Sequence, residues 1–173
     1  MSKILTVGGH LFNFEDPSDS IFTIEDIAHA LSNICRYNGH CKSYYSVAQH
    51  SVLVSQLLSE EYALQGLLHD AHEAFVGDMT TMLKRLIPEY RVYEDIAAAE
   101  VRARFNIPFE LHESVHEADM VALMTERLNF LPKREDDHLY WPKEFKAVDM
   151  IIKPMAPTEA FTYFMDRYEE LTI

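Results

Sequence analysis

Leu67-Leu68-His69-Asp70-Ala71-His72-Glu73-Ala74 puts four ionisable residues into a segment that otherwise reads as a buried apolar helix. Burying such groups is costly unless they are paired or bound to a metal. His69 and Asp70 are adjacent, about 100° apart on a helix, so both lean toward one point at its edge. Glu73 follows His69 by one turn and stacks on the same face. His72 points about 100° away from Glu73 and is expected to face solvent. Asp78 comes just after Gly77, where this helix should stop.

Outward from that segment the pattern is helical nearly throughout. The central helix is expected over about Glu61 to Val76, with Leu64, Leu67, Leu68, Ala71 and Phe75 on its apolar side. Before it, a helix carries Val47, His50, Val54 and Leu57. Thr23 can cap another helix that runs to about Cys35 with Ile24, Ile27, Leu31 and Ile34 on one face. Tyr37 to Tyr44 is polar, contains Gly39 and reads as a loop. Residues 4–14 alternate around Gly8-Gly9, a small β-hairpin. Downstream, Asp78 can cap a short helix over 79–86, and Pro88 opens one that runs to about Phe105. Ser114 with Glu117 resembles a capping box for a helix ending near Asn129. Residues 131–156 read as an irregular excursion with a short strand over Val148 to Ile152. Pro157 opens a last helix, 158–170, with Ala160, Phe161, Phe164 and Tyr168 inward. The class is all-α with a minor N-terminal β-hairpin, in one domain spanning 1–173.

One His-Asp pair cannot hold a metal alone. His50, in SVAQHSVLVS, and Asp119, in HEADMVALMTE, each sit on helices that are apolar on the relevant face. With His69 and Asp70 they make two imidazoles and two carboxylates. That set suits Mn²⁺, Fe²⁺, Co²⁺, Ni²⁺ or Zn²⁺ better than Mg²⁺, and without a thiolate a structural zinc clip is disfavoured. His116, three residues before Asp119, can share its face. The methionines Met79, Met82, Met124 and Met155 read as packing.

The 173 residues carry 28 acidic against 15 basic side chains, a formal charge of −13. So acidic a surface argues against stable nucleic-acid binding. It leaves room for a small anionic substrate, because a metal and a few cations can reverse the field within one cleft. No apolar run reaches the ~20 residues of a membrane span. The first twenty residues show no secretory pattern, and Cys35 and Cys41 form no CxxC. A cytoplasmic protein with reduced thiols is the expectation.

The ordered set His…His-Asp…Asp resembles the signature of the HD superfamily of metal-dependent phosphohydrolases. SVAQHS, LLHDAHEAFVGD (67–78) and EADMVALMTER (117–127) are similar to the small single-domain HD nucleotidases, and LSNICRYNGH (31–40) resembles the mouth of their substrate pocket. The likeness spans nearly the whole chain. It points to bacterial and prophage 5′-deoxynucleotidase-like proteins and to phage DatZ proteins, which hydrolyse dATP to deoxyadenosine and triphosphate.

The resemblance implies an HD helical fold with His50, His69, Asp70 and Asp119 as ligands of a divalent transition metal. Glu73 would orient or deprotonate the attacking water, and Asp78 would protonate the leaving oxygen. Arg36 would grip phosphate and Tyr37 would stack on base or sugar. Lys84, and Arg85 beside it, would hold outer phosphates, with Mg²⁺ as a further partner of those phosphates. Met82 stands where relatives often carry a proline near the base. A homo-oligomer, dimer or hexamer, is also implied. The expected activity is dATP triphosphohydrolysis, with 5′-deoxynucleotidase activity on monophosphates as the alternative. A non-catalytic nucleotide sensor ranks third, since a sensor has no need of Glu73 and Asp78.

Overall fold

The structure, a computed structural model, describes residues 2–173, His138 by its backbone only. It is mostly helical with one small antiparallel sheet. Strands β1 (Lys3–Leu5) and β2 (Leu11–Asn13) pair in register Lys3 to Asn13, Ile4 to Phe12 and Leu5 to Leu11. Helices follow as α1 (Ile24–Asn33), α2 (Val47–Leu57), α3 (Glu60–Leu68), α4 (Glu73–Val76), α5 (Thr81–Lys84), α6 (Pro88–Arg104), α7 (Glu113–Phe130) and α8 (Pro157–Thr172). Among the described residues, no helix is long and apolar enough to cross a membrane.

Helix α2 is the axis of the molecule. It is buried from Val47 to Ser55 because α1, α3, α7 and α8 all pack on it. That explains its weak amphipathicity in sequence: a helix covered on every side needs no polar face. One core gathers Phe12, Ile27, Leu31, Val52, Leu67 and Phe164, with the Phe12 and Phe75 rings stacked 4.0 Å apart. A second, smaller core joins Tyr45, Leu53 and Val54 to Ala118, Ala122 and Phe130 of α7.

The hairpin is fixed to α1 through one carboxylate. Asp26 completes the capping box with Thr23. It also accepts from the Gly8 amide at 2.8 Å and lies 2.7 Å from His10 Nδ1. Burial alone would raise the Asp26 pKa, but these bonds outweigh it and hold the group below the usual carboxylate range. Gly8 is required there, since a Cβ would stand 2.7 Å from Asp26 Oδ1.

Several expectations are corrected. The helix expected over 61–76 breaks at His69. His69 Nδ1 donates to the Gly66 carbonyl at 2.7 Å. The chain then winds through i→i+3 bonds, Ala71 to Leu68 and Glu73 to Asp70, before α4 begins. Asp78 does not cap the next helix: its N-cap is Thr80, and only Thr81–Lys84 are helical. Helix α7 starts earlier than the Ser114–Glu117 box suggests. His112 is its N-cap, accepting from the Ser114 amide. Val148 to Ile152 form no strand. Two of their amides go to side chains of α7, Val148 to Thr125 Oγ1 and Ile152 to Asn129 Oδ1, each at 2.9 Å, and the Met150 amide goes to the Val148 carbonyl. The loop over 37–44 begins with a tight turn, Arg36–Gly39, and Met82 is 72% exposed rather than packed.

Candidate metal centre and cleft

Four side chains from three elements converge. His50 comes from the first turn of α2, His69 and Asp70 from the tight turns after α3, and Asp119 from α7. His50 Nε2 lies 3.2 Å from Asp119 Oδ1 and 3.6 Å from Asp70 Oδ2. His69 Nε2 lies 3.1 Å from Asp70 Oδ2 and 3.9 Å from Asp119 Oδ1. Such spacings separate neighbouring ligands of one ion with bonds of about 2.0–2.2 Å.

Hydrogen bonding sets both imidazoles for coordination. His69 donates through Nδ1 to Gly66, and His50 Nδ1 lies 2.6 Å from Glu126 Oε1, so each ring turns Nε2 toward the carboxylates. Yet both Nε2 atoms are buried and lack a well-formed hydrogen bond among the described residues. Buried polar atoms are rarely left so. A shared cation accounts for both at once, and His50, His69 and Asp119 could hold a metal ion. Without one, burial and Arg36 oppose charge on His50, but Glu126 and Asp119 prevail and lift its pKa to about 9.

Glu73 lies beside this group, 4% exposed, with Oε2 buried and unpartnered among the described residues. Burial first, then the Asp70 and Asp78 carboxylates, push its pKa far up. Gly77, at φ +85°, turns the chain into Asp78. Burial raises the Asp78 pKa too, against the pull of Arg36. His72 is not solvent-facing as expected: it is 9% exposed, with Nε2 3.6 Å from Glu94 Oε1. The 3-10 winding after His69 advances about 120° per residue rather than 100°, which carries His72 inward. His72, Glu73 and Glu94 form a second ligand-like group, but the Lys84 ammonium already sits on Glu94 and supplies its positive charge.

Arg36 is held where residues 34–36 pair with 45–47. Its amide donates to the Tyr45 carbonyl at 2.9 Å, and Cys35 bridges Ser46. Its side chain is nearly buried, with Nε donating to Glu126 Oε2 at 3.2 Å and Nη1 3.9 Å from Asp70 Oδ2. Tyr37 and Asn38 follow in the left-handed region, φ 57° and 51°. The Tyr37 hydroxyl donates to Glu126 Oε2 at 2.6 Å. Glu126 thus stands between metal group and loop, fully buried and accepting also from the Tyr45 hydroxyl at 3.0 Å. Burial would raise its pKa, but Arg36 and His50 drive it down to about 2.

The sequence reading missed Glu126, Tyr45 and Glu94. Glu126 did leave a signal: it lies seven residues after Asp119, two turns along the same face of an apolar helix. Glu94 left none in a polar stretch.

A cleft of about 780 Å³ opens over His69, Asp70 and Asp119. Lys84 and Arg102 line it, together with the acidic side chains Glu94, Asp95, Glu110 and Glu113. Met82 and Arg85 do not line it; both are exposed on α5 and its end. His116 lies exposed on the rim, its ring edge-on to Phe145 at 6.1 Å.

No protein-family model matches the chain. It is 39% identical over 175 residues to YfdR of Escherichia coli K12, covering 99% of this chain and 97% of YfdR. It is 32% identical over 182 residues to a protein of Rhodobacter capsulatus, covering 95% of this chain and 93% of that protein. Both relatives are described as uncharacterized proteins. Along nearly its whole length, the chain belongs to the same family as YfdR.

Proposed function

We propose that this chain is an HD-type, metal-dependent phosphohydrolase acting on deoxynucleotides. One observation carries the reading: the buried His50 and His69 Nε2 atoms face Asp119 and Asp70 at 3.2 and 3.1 Å without a well-formed hydrogen bond among the described residues, beside the buried and, among those residues, unpartnered Glu73 Oε2. Two nitrogen and two oxygen donors fit Co²⁺, Mn²⁺, Zn²⁺, Ni²⁺ or Fe²⁺. A divalent ion held by His50, His69, Asp70 and Asp119 would supply positive charge against the phosphoryl oxygens and lower the pKa of an attacking water.

The side chains divide the remaining work. Glu73 accepts the proton of the attacking water through its free oxygen; its raised pKa makes it a stronger base than an exposed carboxylate. Arg36, fixed at Nε by Glu126, turns its remaining donors toward Asp70 and the phosphoryl oxygens. As the new P–O bond forms and the ester P–O bond breaks, the leaving oxygen needs a proton. Asp78, whose pKa is also raised, carries one to it. Lys84 stands ready at the cleft wall on Glu94.

The charge of the cleft bears on the choice of substrate. Outside the metal group, Lys84 and Arg102 face Glu94, Asp95, Glu110 and Glu113, an acidic rim. Such a rim favours a monophosphate over the more highly charged triphosphate tail. The geometry therefore supports a 5′-deoxynucleotidase ahead of the dATP triphosphohydrolase that the sequence resemblance favours. The latter would need Mg²⁺ on the outer phosphates. The test is to incubate Co²⁺- or Mn²⁺-loaded protein separately with dAMP and dATP and resolve the products. Orthophosphate from dAMP alone supports the ranking, and triphosphate from dATP reverses it. No product from either overturns the phosphohydrolase reading.

A further inference from the structure

Glu126 divides its two oxygens between two tasks. Oε1 takes His50 Nδ1 at 2.6 Å and the Tyr45 hydroxyl at 3.0 Å. Oε2 takes the Tyr37 hydroxyl at 2.6 Å and Arg36 Nε at 3.2 Å. The carboxylate is fully buried, so no water competes for these sites, and four donors occupy its full accepting capacity. One side of this clamp orients a candidate metal ligand. The other orients the two loop residues, Arg36 and Tyr37, that the proposed function assigns to substrate. At the loop's tip, Tyr37, Asn38 and Gly39 are consecutive left-handed residues, an unfavourable backbone for the first two. Within them, the Tyr37 carbonyl accepts from the His40 amide at 2.9 Å.

We propose that Glu126 is a positioning residue that couples the Arg36–Tyr37 loop to His50, so that a change on the loop side alters metal affinity. The coupling is mechanical. A carboxylate is planar and rigid, so losing the donors on Oε2 lets it rotate about its own axis. That rotation moves Oε1 away from His50 Nδ1. The imidazole then loses the bond that aims Nε2 between Asp70 and Asp119. The proposal rests on the metal reading of that four-residue group and does not depend on turnover.

Metal affinity without substrate tests it, measured on the full chain by Zn²⁺ competition with a chromophoric chelator. Tyr37→Phe removes one hydroxyl and touches no metal ligand; it should weaken Zn²⁺ binding by about three- to tenfold. Glu126→Gln should weaken it on the order of 10–100-fold, the usual cost of losing an outer-shell partner. In the double variant Tyr37→Phe should add nothing, because its route runs through Glu126. Wild-type affinity in Tyr37→Phe, or fully additive losses in the double variant, would overturn the proposal. If Glu126→Gln fails to fold, Tyr37→Phe decides alone: weakened Zn²⁺ affinity supports the coupling, and wild-type affinity sinks it. Normal coupling without hydrolysis of any nucleotide would instead remove the proposed function and leave this inference standing.

Discussion

At the scale of single residues, the candidate chemistry depends on groups whose protonation the fold has moved. Glu73→Gln keeps the size of the side chain but removes its capacity to take a proton. Turnover should fall by about 10²–10⁴-fold while Zn²⁺ affinity holds within about threefold. An unchanged rate would take Glu73 out of the mechanism. His50 gives a second prediction. Its pKa is lifted to about 9 in the metal-free protein, so at neutral pH a proton must leave before the metal binds. Apparent affinity should therefore rise as pH rises from 6 to 9, by up to about tenfold per unit for each proton displaced. Metal competition at several pH values measures it, and a flat profile contradicts it. The four candidate ligands were legible in the sequence because each is an ionisable residue on an apolar helical face. Glu126 shares the Asp119 face by its seven-residue spacing, but a glutamate between Thr125 and Arg127 reads as helix surface. Only the crossing of α7 with α2 buries it against His50.

At the scale of elements, the site depends on how closely α3 approaches α2. Gly66 makes that approach possible: a Cβ there would collide with Leu58 and press on the Ser55 Cα at 3.3 Å. The same residue offers the carbonyl that receives His69 Nδ1. Gly66→Ala should cost about 1–3 kcal/mol through overpacking and also weaken metal binding by displacing His69. Thermal melts of the metal-free protein separate the first effect from the second. The helices themselves were legible from local chemistry: the Thr23 cap, Pro88 and Pro157 at first positions, and the inward faces of α1 and α8 all stand as read. The break at His69 was not. Its cause is a bond from one side chain to its own helix, and the apolar periodicity continues straight across it. The His72 reading failed for the same reason, since a 100° step was applied where the chain turns more tightly. Val148 to Ile152 have strand-like composition, but α7 presents Thr125 and Asn129 to them and leaves no strand edge to pair with.

At the scale of the molecule, a metal would clamp together α2, the turns after α3, and α7. Saturating ion at 100 times its Kd should add about 2.7 kcal/mol of stability. Chelation should then lower the Tm by about 5–11 °C for a chain of this size. A melting curve indifferent to chelator would argue against the centre. The elements are not equally committed to that clamp. Every candidate ligand, with Glu73, Asp78 and Glu126, precedes residue 131, and α8 contributes packing on α1 and α2 but no ligand. Between the two lies an exposed connector bearing Lys133, Arg134 and Lys143. Arg127 holds it through Asp137 at 2.5 Å, and Gln49 binds the Lys153 carbonyl at 2.7 Å. The candidate ligands thus lie in the first 130 residues, and α8 completes the core around them. Trypsin should nick the connector first. The two pieces should run apart on a denaturing gel yet elute as one species with the Zn²⁺ affinity of the intact chain.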